Sequence, residues 1–311
     1  MRIVVTEFMD EAALGGFDPA WEVVYDPSLV DDRDRLVAAV READAVIVRN
    51  RTRVDAGLLA GASGLRAVGR LGVGLDNIDT EACAARGVAV LPATGANALG
   101  VAEYVIAAIL VLVRGAYGAT DAVRRGEWPR NALIGGEAAG RRLGLLGFGG
   151  IARMVAERAR VLGMEVAAFD PHLPADDPAW SGVRRCTGAE ELFGISDALS
   201  LHVPLTAETR GLVGAEALAR LPEGAIVINT ARGGIVDEAA LAAALRGGRL
   251  GGAALDVFEG EPLDAEAGAV FDGIDNLILT PHIAGVTDEG NVRVSQVTVE
   301  NVRRALESAD G

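Results

Sequence analysis

Three residues in the second half of the chain carry side chains suited to moving a proton and holding an anion. His282 lies in TPHIAG (280–285), directly after the apolar run NLIL, and is one of only three histidines. An imidazole titrates near neutral pH, so at a strand end it can act as a general acid and base. Glu261 lies in LDVFEGEPL and Arg232 in NTARGGIVDE, each also following an apolar run. Taken singly, each has an ordinary reading: a structural histidine, a solvated acid before a proline, a surface arginine. Taken together they suit one chemistry. Oxidation of a 2-hydroxy acid needs a base for the hydroxyl proton, a cation for the carboxylate and an acceptor for the hydride. His282 fits the first task. The planar guanidinium of Arg232 offers a two-pronged donor for the second. A carboxylate such as Glu261, set beside an imidazole, fixes its tautomer and stabilises the imidazolium.

The hydride acceptor is implied further upstream. GLLGFGGIARMVAERARVLGMEVAAFD (144–170) reads as strand, glycine turn, helix and second strand ending in an acid. Gly147 permits the tight turn, Gly149 lets backbone approach a pyrophosphate, and Ala152 stands at the small third position of the dinucleotide fingerprint. Backbone N–H groups of Gly150 and Ile151 are expected to face the phosphate from the helix N-terminus. Asp170 follows Gly149 by 21 residues. It can accept from both ribose hydroxyls and repels a 2′-phosphate, so the cofactor is expected to be NAD rather than NADP. His172, just beyond, reads as a surface residue near the adenosine end.

The elements that must position these groups follow a β/α alternation. RIVVTE (2–7), AVIVR (45–49), RAVGR (66–70) and VAVLPA (88–93) read as strands separated by helices, a small parallel α/β unit. One long helix is expected over 98–126. Six further strands follow: 141–148, 165–170, 198–204, 225–231, 252–258 and 276–282, enough for a complete doubly wound nucleotide domain. An amphipathic helix over 288–309 closes the chain and is expected to return to the first unit. The expected domains are therefore 1–96 plus 287–311, and 97–286.

Composition narrows the partners. The 311 residues carry a net charge of −15, which argues against nucleic acid or an anionic membrane as partner. All basic residues are arginines, so lysine Schiff-base chemistry is excluded. The longest strongly apolar run, 104–113, is too short to span a bilayer. The N-terminus does not read as a signal peptide. Two isolated cysteines fit neither a disulfide framework nor a metal site. No metal is expected, and the compartment is expected to be the cytoplasm.

Several further motifs join these in order along most of the chain: VGRLGVGLDNID (68–79), NALGVAEYVIAAIL (97–110), LGLLGFGGIAR (143–153), HVPLTAETRGLV (202–213), INTARGGIVDEAAL (228–241), ALDVFEGEPL (254–263) and LTPHIAG (279–285). With them the chain resembles the D-isomer-specific 2-hydroxyacid dehydrogenase family, in its phosphoglycerate dehydrogenase-like branch. The resemblance implies two doubly wound parallel-sheet α/β domains, a Rossmann NAD domain inserted in a flavodoxin-like substrate domain. It implies that Arg232, Glu261 and His282 form the catalytic triad. The substrate carboxylate would sit on Arg232 and the backbone N–H groups of Val73 and Gly74. The nicotinamide would lie near Thr230, Ala231, Asp256 and Gly285. His202, Val203 and Pro204 belong to the segment that lines the cofactor in the family, with His202 either hydrogen-bonding there or simply packed. Ala152 in place of the usual third glycine is a mild departure.

The far end of the substrate is assigned to the first domain. Arg49, Arg51 and Arg53 share one face if the strand at 45–49 continues, and Arg70 ends the next strand. One reading is a solvated basic edge. The other is that Arg49 and Arg70, with Asn50, hold a second anion, as arginines at the matching positions do in phosphoglycerate dehydrogenases. Arginines concentrated at one edge of an acidic protein suit a dianionic hydroxy acid. The segments TEFMDEAAL, VRNRTRV and GRLGVGLDNID resemble bacterial sulfolactate dehydrogenases, which puts 3-sulfolactate before 3-phosphoglycerate. A glyoxylate or hydroxypyruvate reductase is the alternative, although many of those prefer NADP, which Asp170 opposes. Formate dehydrogenases carry Gln where Glu261 stands. An NAD-sensing, corepressor-like interaction protein is a remote alternative, since those proteins keep the triad. The apolar 98–126 region implies, by the same resemblance, a homodimer.

Overall fold

The computed structural model describes residues 1–308. The chain divides into two compact units, unit 1 from Met1–Asn97 together with the segment from Val286 onward, and unit 2 from Ala98–Gly285.

Unit 1 is built on a five-stranded parallel sheet of β1 (Arg2–Val5), β2 (Glu22–Tyr25), β3 (Ala45–Val48), β4 (Ala67–Arg70) and β5 (Ala89–Pro92), in the order β2-β1-β3-β4-β5. This is the flavodoxin-like order. The inner strands are apolar apart from Arg2 and Arg70 at two of their ends, because helices cover both faces, and β3 is buried at every residue. The edge strand β2 is only half-buried, and the sequence pattern did not disclose it. Helices α1 (Arg33–Val40), α2 (Ala56–Gly61) and α3 (Thr80–Ala85) each start at an aspartate, Asp32, Asp55 and Asp79, whose carboxylate accepts the N–H three residues on. The last helix, Asp288–Ser308, lays Val294, Val299, Val302 and Leu306 into the core beside Ile3, Val5 and Ile47. Gly69 permits this approach, since a Cβ there would stand 2.7 Å from Val302 Cγ2. The expected end of that helix, at 309, lies outside the described residues.

Unit 2 carries a seven-stranded parallel sheet: β6 (Arg142–Leu146), β7 (Glu165–Phe169), β8 (Arg184–Arg185), β9 (Ala198–Leu201), β10 (Ala225–Asn229), β11 (Leu250–Leu255) and β12 (Leu277–Leu279). The order β12-β11-β10-β9-β6-β7-β8 is the Rossmann arrangement with one added edge strand, β12. Six strands were expected and seven are present. The extra one, β8, is an exposed two-residue edge and has no apolar pattern to betray it.

The long helix expected over 98–126 is broken. Helix α4 (Ala98–Arg114) ends at Gly115, which takes φ +63°, and the chain bends by 71° into a short turn and α5 (Thr120–Arg124). A glycine in the left-handed region just past the last turn is a helix stop. Much of the apolar character of α4 is used internally, with Val101, Ala102, Val105, Ile109 and Val113 buried. No single helix among the described residues is long and apolar enough to cross a membrane. Helices α6 (Gly150–Val161), α7 (Ala189–Ile195), α8 (Ala215–Arg220), α9 (Glu238–Arg246) and α10 (Ala265–Gly268) complete the unit.

Candidate active site

The glycine turn between β6 and α6 is shaped by its backbone. Gly147 takes φ +87°, and a Cβ there would sit 2.6 Å from the His202 carbonyl oxygen and 3.0 Å from Val203 Cγ1. Only glycine fits that turn. Positions 149 and 150 face open space, with nothing within 4 Å of a Cβ built on either. Gly149 caps α6 without any side-chain acceptor, unlike the aspartates that cap α1, α2, α3 and α9. The first N–H groups of α6, those of Gly150 and Ile151 among them, are therefore left to an anion from outside. Ala152 is fully buried, the close helix–strand contact that the small third position serves. Phe148, between the two glycines, is pinned by stacking on Trp180 at 5.1 Å, and by Arg153, whose guanidinium lies 5.7 Å from its ring and whose Nε donates to its carbonyl.

Asp170 stands at the end of β7. Each carboxylate oxygen accepts one backbone N–H, Oδ2 from Phe148 and Oδ1 from His172, both at 2.9 Å. The carboxylate thus ties the glycine turn to the end of the second strand and keeps lone pairs for ribose hydroxyls. The backbone N–H of His202 donates to Leu146, and the ring Nε2 meets Ser200 Oγ at 2.9 Å. Burial pushes its pKa down to about 4, so the ring is neutral near neutral pH. Val203 packs against the turn, while the Pro204 carbonyl accepts the Thr209 hydroxyl.

Arg232, Glu261 and His282 lie on the loops after β10, β11 and β12, neighbouring strands whose C-terminal ends face the same way. His282 Nδ1 meets Glu261 Oε2 at 2.8 Å. Glu261 is itself steadied, its Oε1 accepting the Phe258 N–H at 3.0 Å. With Nδ1 facing the carboxylate, Nε2 is the ring nitrogen left for a substrate. His282 is the one non-glycine residue among those described with positive φ, at +56°. Such a conformation persists in a non-glycine residue only where the surroundings impose it.

Asp256 imposes it. This buried carboxylate accepts the Thr280 hydroxyl at 2.6 Å and the Ile283 N–H at 2.8 Å on Oδ1, and the Ala284 N–H at 2.8 Å on Oδ2. The loop is thereby fastened on both sides of His282, from Thr280 to Ala284. The loop that carries Arg232 packs by its backbone on the loop that leads to Glu261. Gly233 lies so tightly on the next loop that a Cβ would stand 1.7 Å from the Phe258 carbonyl oxygen. Asn229 shapes the same turn, accepting from the Ala231 N–H and donating to the Arg232 carbonyl. Thr230 Oγ1 is buried and has no hydrogen-bond partner. An orphaned hydroxyl of that kind asks for a polar ligand. With the open glycine turn and the uncapped helix, it fits a bound dinucleotide. Among the described residues no group of three His, Cys, Asp or Glu side chains could hold a metal ion.

In unit 1 the strand at β3 ends at Val48, so Arg49, Arg51 and Arg53 do not share a strand face. The chain turns instead, and the buried Glu7 accepts the backbone N–H groups of Arg49, Asn50, Arg51 and Thr52. Burial pushes the Glu7 carboxyl up, but those donors outweigh it and hold it below its usual value. Asn77 donates to the Thr52 carbonyl. Arg49 lies over the Phe8 ring and donates to Asn291 Oδ1 at 2.8 Å, Arg51 pairs with Asp31, and Arg53 is exposed. Arg70 folds back across Gly72, its Nη1 donating to the Leu71 carbonyl. Val73 follows, well exposed, with Gly74 behind it.

Residues 106–284 match the family model described as "D-isomer specific 2-hydroxyacid dehydrogenase, NAD binding domain". The chain belongs to the D-isomer-specific 2-hydroxyacid dehydrogenase family. It is 58% identical over 304 residues to an (S)-sulfolactate dehydrogenase of Chromohalobacter salexigens, covering 98% of both chains. It is 36% identical to a D-3-phosphoglycerate dehydrogenase of Methanocaldococcus jannaschii, over 98% of this chain but 57% of that longer one. A crystal structure of a Thermus thermophilus protein superposes with a TM-score of 0.88 at 34% identity, covering 99% of this chain and 97% of that one. Membership makes the chain an NAD-dependent 2-hydroxyacid dehydrogenase with the two parallel-sheet domains of that family.

Proposed function

We propose that the enzyme interconverts 3-sulfolactate and sulfopyruvate, with 3-phosphoglycerate as the next substrate to consider. The observation that carries this is the 58% identity, over 98% of both chains, to an (S)-sulfolactate dehydrogenase. Stereochemistry agrees with it. A D-shaped sulfolactate carries the S label, because the sulfur-bearing arm outranks the carboxylate in naming priority.

The roles follow from the side chains. Arg232 holds the substrate carboxylate. His282 Nε2 takes the hydroxyl proton as the C2 hydrogen leaves with its electron pair, and returns the proton in the reverse direction. Glu261 on Nδ1 stabilises the imidazolium so formed. Bound NAD supplies the two-electron acceptor. Gly147, Gly149, Gly150, Ile151, Asp170, His202, Val203, Pro204, Thr230, Ala231, Asp256 and Gly285 are the residues proposed to hold it. For unit 1 we propose recognition of the substrate anions by Arg49, Asn50 and Arg70 with the backbone of Val73 and Gly74. The arginine-rich turn capped by Glu7 supports that reading. A homodimer is proposed through the 98–126 region and the segment after it, where Leu110, Val111, Tyr117, Val123, Trp128 and Ile134 are exposed. The proposed compartment is the cytoplasm.

An NADH absorbance panel with sulfolactate, phosphoglycerate, lactate, glycerate and malate tests the substrate. Sulfolactate should give the highest kcat/KM. Equal rates with lactate would remove the anion role of Arg49 and Arg70, and preference for glycerate would favour a hydroxypyruvate reductase. His282→Ala should abolish turnover, a loss of about 10²–10⁴-fold or more, while NADH still binds. Retained turnover would refute the acid–base assignment.

A further inference from the structure

His282 is held by a hydrogen-bond chain that starts on another element. The Tyr104 hydroxyl, on α4, lies 2.6 Å from Thr280 Oγ1, and Thr280 Oγ1 donates to Asp256 Oδ1 at 2.6 Å. A threonine hydroxyl has one hydrogen, and here Asp256 takes it. Tyr104 must therefore donate to Thr280. The chain has one direction, Tyr104 O–H to Thr280 O–H to the Asp256 carboxylate. Each donor polarises the next, which strengthens the whole. Burial raises the Tyr104 phenol pKa, and the charge on Asp256 adds to the rise against the opposing Thr280 bond, so the hydroxyl keeps its proton.

The end of that chain is the clamp around the catalytic loop. Asp256 also accepts the N–H groups of Ile283 and Ala284, directly after His282, while the His282 N–H turns back to the Thr280 carbonyl at 3.0 Å. The residue two before His282 and the two after it thus converge on one carboxylate, and His282 between them holds the left-handed conformation.

We propose that Tyr104 is a positioning residue for His282, acting through Thr280 and Asp256 to fix the orientation of the imidazole. The proposal rests on the reading of His282 as the acid–base group. Tyr104→Phe removes one hydroxyl and keeps the ring. It should lower kcat by roughly three- to tenfold, the worth of one neutral hydrogen bond, while the substrate KM and the NADH dissociation constant read by fluorescence stay within about twofold. Thr280→Ser keeps a hydroxyl in the chain and should stay near the parent. Thr280→Val breaks the chain, and adding Tyr104→Phe to it should cost nothing more. An unchanged kcat in Tyr104→Phe, a lower melting temperature with kcat intact, or an equal further loss in the Thr280→Val background would each overturn the proposal. His282→Ala in the same assays separates the two levels. If it turns over normally the acid–base reading itself fails, whereas its inactivity beside an unimpaired Tyr104→Phe sinks only the positioning role.

Discussion

Glu7→Gln is the substitution whose cost the structure lets one reason through most fully. The Glu7 side chain is 5% exposed, and its two oxygens take four backbone N–H groups, those of Arg49 and Thr52 on Oε1 and of Asn50 and Arg51 on Oε2. An amide of the same shape keeps one acceptor oxygen and turns two hydrogens towards two of those donors. Two backbone donors left facing hydrogens cost about 1–3 kcal/mol each, so the variant should lose roughly 2–6 kcal/mol. The pH dependence identifies the cause. The folded carboxyl titrates below its ordinary value of 4.5, so its contribution is present in full above that value and disappears as pH falls through the lowered folded value. Urea unfolding followed by circular dichroism should show the full deficit near pH 7. It should shrink below pH 4.5, where the carboxyl of the parent's unfolded chain begins to protonate while the folded one is still ionised. Hydrogen exchange should localise the change to the amides of residues 49–52. A variant within about 0.5 kcal/mol of the parent at neutral pH, or a deficit unaltered in acid, would refute the account.

Three more outcomes are expected. Gly147→Ala puts a Cβ 2.6 Å from the His202 carbonyl at φ +87°, so it should cost about 1–3 kcal/mol and weaken NADH binding measured by fluorescence titration. Asp170→Ala removes the carboxylate that opposes a 2′-phosphate and should raise kcat/KM with NADPH relative to NADH by about tenfold or more; an unchanged ratio in parallel assays would disprove that role. His202, with its pKa near 4, is neutral across the physiological range, so any activity limb near neutral pH should survive His202→Asn. Its neutral burial should also make the parent lose stability as pH falls from 6.5 towards 4, a loss absent from the variant in acid unfolding curves.

The site was legible where chemistry and strand ends coincide. Apolar runs closing on His, Glu, Arg or Asp stand out, and the glycine turn has its own spacing. The loops that carry Arg232, Glu261 and His282 and the inner strands could be read for that reason. Elements with no interior face could not. β2 is half-buried and β8 is two exposed arginines, so neither leaves an alternation to detect. The stop at Gly115 was written in the sequence, but the apolar residues around it outweighed one glycine. The bracing residues were hidden for another reason. Glu7, Asn229 and Asp256 act on backbone groups that are distant in sequence or folded back on themselves. Tyr104 reaches Thr280 across 176 positions. A polar residue within an apolar run signals that it must find a partner, but not which one.

Glu7 also bears on how such an enzyme can change. The turn at 49–52 takes its shape from a side chain just past β1 that grips only main-chain N–H groups, with Asn77 holding a carbonyl of the same turn. Nothing in that grip depends on which side chains positions 49, 50 and 51 carry. The turn is a socket whose walls stand whatever it holds, so on the proposed substrate role of Arg49 and Asn50 selectivity can change there without disturbing the backbone that Glu7 grips. The constraint falls on Glu7, which holds the socket's shape.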